Sequence, residues 1–131
     1  MNTAYLISEN IISSLGFTAE ENVHAILENK IGIAEAKDFS KKIPSALFSK
    51  INTPLLNDRF ASLLETLKPD SRADSFTRLE KLFILSIHDA VSRIGLNCRS
   101  NRVLLILSTT KGNIDLLENQ YIAKFNHKRL F

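Results

Sequence analysis

Apolar and polar positions change their rhythm several times along the chain. Residues 3–8, TAYLIS, form a short run that reads as a first strand, and the ENIISSLG that follows carries Ser13, Ser14 and Gly16 as loop markers. Thr18 then stands three places before Glu21, the signature of a capping box in which hydroxyl and carboxylate satisfy each other's orphan backbone donors. This predicts a helix from Ala19 with Val23, Ile26 and Leu27 on one face, stopped by Gly32 soon after Lys30.

From Ala34 to Asp74 the periodicity loosens, with Pro44, Pro54 and Pro69 as punctuation. Short helices are predicted at residues 45–50 and 54–67, the second with Thr53 as N-cap and Pro54 in the first helical position. The strongest helical pattern covers residues 75–94. There Leu79, Leu82, Phe83, Ile87, Ala90, Val91 and Ile94 recur every three or four places, and Gly95 sits where a left-handed cap belongs. Ile84 and Leu85 widen that stripe, so this helix should meet protein on more than one side. Residues 103–107, five consecutive aliphatics, read as a second and fully buried strand, followed by a last helix from near Asn113 with Ile114, Leu117 and Tyr121 on one face. The predicted order is strand, several helices, strand, helix: an α/β class in which helices dominate. Two strands alone make a poor sheet.

Length and composition narrow the possibilities. At 131 residues and 44% hydrophobic the chain suits one domain, residues 1–131, with no repeat or linker dividing it. Seventeen Lys and Arg against 14 Asp and Glu lift the isoelectric point only to about 9.1, too weak a bias to imply nucleic acid. Cys98 is the single cysteine, which rules out an intramolecular disulfide and suits a reducing compartment, the cytosol by default. No apolar segment approaches the roughly 20 residues of a membrane span, and the N-terminus lacks a signal-peptide pattern.

Candidate chemistry centres on RVLLILSTTKGNID, residues 102–115. A phosphate loop needs a leading glycine and then Gly-Lys-Ser/Thr, so that successive backbone amides wrap the phosphates. Thr110-Lys111-Gly112 has these types in the wrong order. Cys98 lies in a connection with no nucleophile signature around it and reads as an incidental thiol. His24, His88 and His127 share no metal-ligand spacing, so neither a metal nor a cofactor is expected. Sequence neighbours on a helix point in different directions, which argues against a His88–Asp89 dyad. The basic tail KFNHKRLF reads as a helix end followed by packing residues.

Three separated stretches together resemble the β-ketoacyl-acyl-carrier-protein synthases of the thiolase-like superfamily. Ser13, Leu15, Gly16, Gly32 and Ile33 match the family's opening loop and helix end. Ala90, Gly95 and Leu96 match the close of its long helix, and Arg102, Val103, Thr109 and Gly112 match its Arg-Val-Gly strand and glycine-rich turn. Glycines that the family pattern has are replaced at Ser8, Asn10, Leu104, Ser108, Thr110 and Asn113. The resemblance implies an incomplete thiolase-like fold, spanning about a third of a typical chain of that family. It implies a parent protein that condenses acyl and malonyl thioesters in fatty-acid or polyketide-type synthesis, with acyl-carrier protein as partner.

By the same resemblance Thr109, Thr110, Lys111 and Gly112 lie beside the acyl pocket. The family's nucleophilic cysteine and two distant histidines have no match here, so no catalytic residue falls within the chain. A cationic Lys111 has no good partner in an apolar tunnel. It points to a short or polar acyl chain, or to a non-catalytic partner subunit that shapes chain length. A self-standing helical protein-binding module is the alternative from another class. Apolar faces left uncovered by so short a piece would favour self-association.

Overall fold

The computed structural model describes residues 3–40, 43–67, 72–110 and 112–113. In chain order the elements are helix α1 (Ala19–Leu27), strands β1 (Ile33–Ser40) and β2 (Ile43–Ser49), helix α2 (Thr53–Leu67), a 3-10 turn (Ala73–Ser75) and helix α3 (Arg78–Ser92).

α1 begins where the Thr18–Glu21 pattern predicts. Thr18 Oγ1 accepts the Glu21 N–H at 3.1 Å, and the Glu21 carboxylate reaches back to the Phe17 N–H at 2.7 Å. Its end differs from expectation. Asn29, at φ 57°, closes the helix with paired reverse bonds, Asn29 N–H to the Ile26 carbonyl and Lys30 N–H to that of Ala25, both at 2.9 Å. Asparagine tolerates the left-handed region, so the stop comes before Gly32. The buried side of α1 is also different: Asn22 and Ala25 face inward, while Val23, Ile26 and Leu27 are exposed.

Residues 45–50 are not helical. They belong largely to β2, which pairs antiparallel with β1 from Ile33↔Ser49 to Lys37↔Ser45, with an irregularity before Ser40↔Ile43. A helix this short gains too few hydrogen bonds to offset its nucleus, whereas the hairpin satisfies backbone groups along five consecutive residue pairs. Pro44 is tolerated because both strands of a two-stranded sheet are edges.

α2 forms as predicted, one residue out of register at its start. Asn52 Oδ1 accepts the Leu55 N–H at 3.0 Å and is the cap, while Thr53 turns its hydroxyl to Arg78. Leu56, Phe60 and Leu63 recur at four and three places and are buried. Phe76 meets Phe60 edge-on with ring centroids 5.1 Å apart, and Phe17 and Ala25 complete the core. α3 starts at Arg78 rather than at Ser75, because Thr77 and Glu80 make a full capping box. Gly95 takes the left-handed conformation, φ 61°, just past its end.

The two predicted strands at residues 3–8 and 103–107 form no ladder among the described residues and are irregular. Tyr5 and Leu6 are each 81% exposed and Leu104 is 82% exposed. Both runs have a strand's apolar pattern, but a strand exists only through its partner's hydrogen bonds, and none is supplied among the described residues. Beyond Asn113 the predicted last helix lies outside the described residues.

Candidate functional site

Of the residues singled out by the resemblance, Thr109 and Gly112 sit in a turn fastened to the start of α3. Thr109 Oγ1 accepts the Gly112 N–H at 3.0 Å, and Gly112 itself is at φ 57°, a conformation that suits a residue without a Cβ. Thr109 and Thr110 are exposed, and Lys111 lies outside the described residues. Asn113 is buried and accepts the Thr77 hydroxyl proton at 2.6 Å. Thr77 thereby spends its single proton on the turn and its lone pairs on the Glu80 N–H at 3.2 Å. Neither Thr77 nor Asn113 stands out in the apolar pattern. The signal for Thr77 is Thr-x-x-Glu at 77–80, a second capping box in the same chain.

A second polar cluster holds the loop between residue 8 and α1. Ser8 Oγ donates to the Ala90 carbonyl at 2.7 Å. Asn10 Nδ2 donates to the Phe17 carbonyl at 3.2 Å and to Ser86 Oγ at 3.3 Å, while its Oδ1 accepts the Ala19 N–H at 3.1 Å. Buried Asn22 bridges the Ile11 and Thr18 carbonyls at 3.0 and 2.8 Å and accepts from Ser13. Where the synthase pattern has glycine at positions 8 and 10, this chain has side chains that bind α3.

These contacts also set chain direction. Ser8 meets Ala90 and Asn10 meets Ser86, so residues 8–10 run against the direction of α3. Leu96 and Cys98 lie beside Ile84, Ile87 and Val91 in the second half of α3, and Asn113 binds Thr77 at its start. Residues 98–113 therefore also run against α3, along a helix of about 22 Å. The two apolar runs travel the same way.

Electrostatics are concentrated at Glu21. Burial raises its carboxyl pKa, but the Phe17 N–H, the Arg59 guanidinium at 2.6 Å and the Thr18 N–H outweigh it and hold the group below its ordinary 4.5. Arg59 also lies over the Phe17 ring, 5.0 Å from its centroid, tying α2 to the loop before α1. His24 makes an exposed contact to Glu28, 3.4 Å away, and His88 is exposed. Among the described residues no His, Cys, Asp and Glu group could hold a metal ion. Cys98 is an exposed free thiol, and His127 lies outside the described residues.

Comparison with protein-family profiles, curated proteins and solved structures finds no match to this chain. No helix among the described residues is long and apolar enough to cross a membrane. Among the described residues the geometry offers several open clefts, three of which bear on the elements above. One, of about 660 Å³, has an apolar lining of Ile7, Val23, Leu27 and Ile94, which gathers the exposed face of α1 with the first apolar run. The second, along α3, is flanked by Cys98. The third, of about 740 Å³, lies between the β1–β2 hairpin and the start of α3.

Proposed function

We propose that this chain is the N-terminal part of a divergent β-ketoacyl-acyl-carrier-protein synthase of the thiolase-like superfamily, an acyltransferase that joins acyl and malonyl thioesters on acyl-carrier protein in the cytosol. The observation that carries the reading is the common direction of residues 8–10 and 98–113 against α3. Parallel strands joined through a crossover helix need that direction, both running against the helix between them, and this supports reading the two runs as strands of an α/β sheet. Their exposure agrees with a sheet whose other strands come from elsewhere. The stretches that resemble the synthases are also linked here by hydrogen bonds through α3: residues 8 and 10 bind its second half, and the turn at 109–113 binds Thr77 at its start. Fold alone would not imply the reaction; that part rests on the motifs.

In this reading Thr109, Thr110, Lys111 and Gly112 border the acyl pocket, and the nucleophile lies outside the chain. Lys111 keeps open a second reading within the family, a partner subunit that measures chain length without catalysing.

The test is incubation of labelled acyl-carrier thioesters with the 131-residue chain and with the whole product of its reading frame. The chain alone should take up no acyl group at a specific residue. The whole product should be acylated on one cysteine outside it, and Lys111→Ile there should shift relative kcat/KM toward longer apolar chains. A frame whose product has no acylated cysteine, but alters the chain length made by a catalytic partner, supports the second reading. A chain that is strictly monomeric in sedimentation, with slow amide exchange throughout residues 3–8 and 103–107, would overturn both in favour of a self-standing binding module.

A further inference from the structure

The cleft between the hairpin and α3 differs from its neighbours in that its cations are paired with no acid among the described residues. Arg59 is held by Glu21 at 2.6 Å, and Arg93 by Glu20 and Asp89 at 3.0 Å each. Arg78, half-buried in the first turn of α3, donates Nη1 to Thr53 Oγ1 at 2.7 Å and has no carboxylate partner among the described residues. A guanidinium carries five N–H donors in a planar fork, so one hydroxyl leaves a free edge shaped for two oxygens of an oxyanion. Lys50, exposed on the same cleft, likewise has no ion pair among the described residues.

The hydroxyls in the cleft cannot serve a ligand as donors. Ser14 Oγ gives its proton to the Gly32 carbonyl at 2.7 Å, so in the 2.9 Å contact between Ser14 and Ser49 the proton comes from Ser49. Both protons are spent, and the spare donors are cationic. Phe48 and Ile51 supply apolar wall beside them. The volume, about 740 Å³, lies in the range of small-molecule sites.

We propose that this cleft binds a small amphiphile, with an oxyanion head, carboxylate or phosphate monoester, between Arg78 and Lys50 and a short apolar tail along Phe48 and Ile51. Glu35, on the same lining, opposes the head and sets the affinity from the other side. The site is separate from the turn at 109–113 and does not depend on the synthase reading.

The test titrates octyl phosphate, octanoate, octanol and inorganic phosphate into the 131-residue chain and follows backbone amide shifts. Octyl phosphate or octanoate should move the amides of Ser49, Lys50, Ile51 and Arg78, and the tighter of the two identifies the head. Octanol, which lacks the charge, and inorganic phosphate, which lacks the tail, should each bind at least about tenfold more weakly. Arg78→Gln, which keeps a polar amide but removes the charge and the planar fork, should weaken the amphiphile about tenfold, and Glu35→Gln should strengthen it. Should Arg78→Gln unfold the chain, Lys50→Gln at an exposed position carries the same test with a several-fold loss. Equal binding of octanol and octyl phosphate, or binding indifferent to both cation substitutions, would overturn the proposal and leave only apolar adsorption.

Discussion

Phe60 is the sharpest probe of how this small core is held. Its side chain is 0% exposed, it lies edge-on to Phe76 at 5.1 Å, and Lys81 stands over its ring at 5.7 Å. Phe60→Ala removes the transfer energy of a full aromatic ring and leaves a cavity that Leu56 and Leu63, fixed one turn away on the same helix, cannot collapse to fill. Together these cost about 3–5 kcal/mol, and the lost edge-to-face pair with Phe76 puts the value in the upper half of that range. Domains of this size are stable by only about 5–15 kcal/mol, so the substitution removes a large share. In a chain of this length the melting temperature should fall by roughly 10–20 °C.

The assay is guanidinium denaturation followed by far-ultraviolet circular dichroism, with Ile26→Ser as the reference. Ile26 is also an apolar residue on a helix, but 61% exposed, and its loss should change stability by no more than about 0.5 kcal/mol. If Phe60→Ala leaves no cooperative transition, Phe60→Leu, which keeps most of the apolar volume, should give a measurable loss of about 1–2 kcal/mol. A cost below about 1 kcal/mol for Phe60→Ala would refute the core described here. A cost at Ile26 equal to that at Phe60 would show that the outer face of α1 is covered by protein in solution.

Two further perturbations test the polar anchors. Glu21 has a folded-state pKa below 4.5, so its contribution is present above pH 4.5 and is lost as the pH falls through the lower folded value. Because both partners are more than a third exposed, Glu21→Gln should cost only about 0.5–1.5 kcal/mol near neutral pH, and it should flatten the acid limb of the stability curve below pH 4.5; an unchanged acid limb would dismiss the Arg59 clamp. Thr77→Ala removes both the α3 cap and the hydrogen bond to Asn113. A loss of about 1–2 kcal/mol, with faster amide exchange at Gly112 and Asn113, is the expected result, and exchange there equal to that of the unaltered chain would mean the turn is held by something else.

What the sequence determined on its own is local. Thr18 with Glu21 placed the start of α1, the three-and-four spacing of α2 and α3 placed their spans to within a few residues, and Gly95 marked the turn after α3. Each is a decision made within one or two turns of chain, by caps and periodicity that act over three or four positions. Tertiary structure decided the rest. Residues 45–49 became strand because Ile33 to Lys37 lay opposite to pair with them, a choice no five-residue window records. Val23, Ile26 and Leu27 have the spacing of a buried face, yet Asn22 and Ala25 took the inside, because Asn22 could satisfy two carbonyls of the loop wrapped around it. The runs at 3–8 and 103–107 carry a strand pattern and form no ladder among the described residues, since a strand's hydrogen bonds belong to its neighbour. Of the candidate site, the turn at 109–113 was legible as a motif. Its attachment to Thr77, 36 residues away in sequence, came only from the fold.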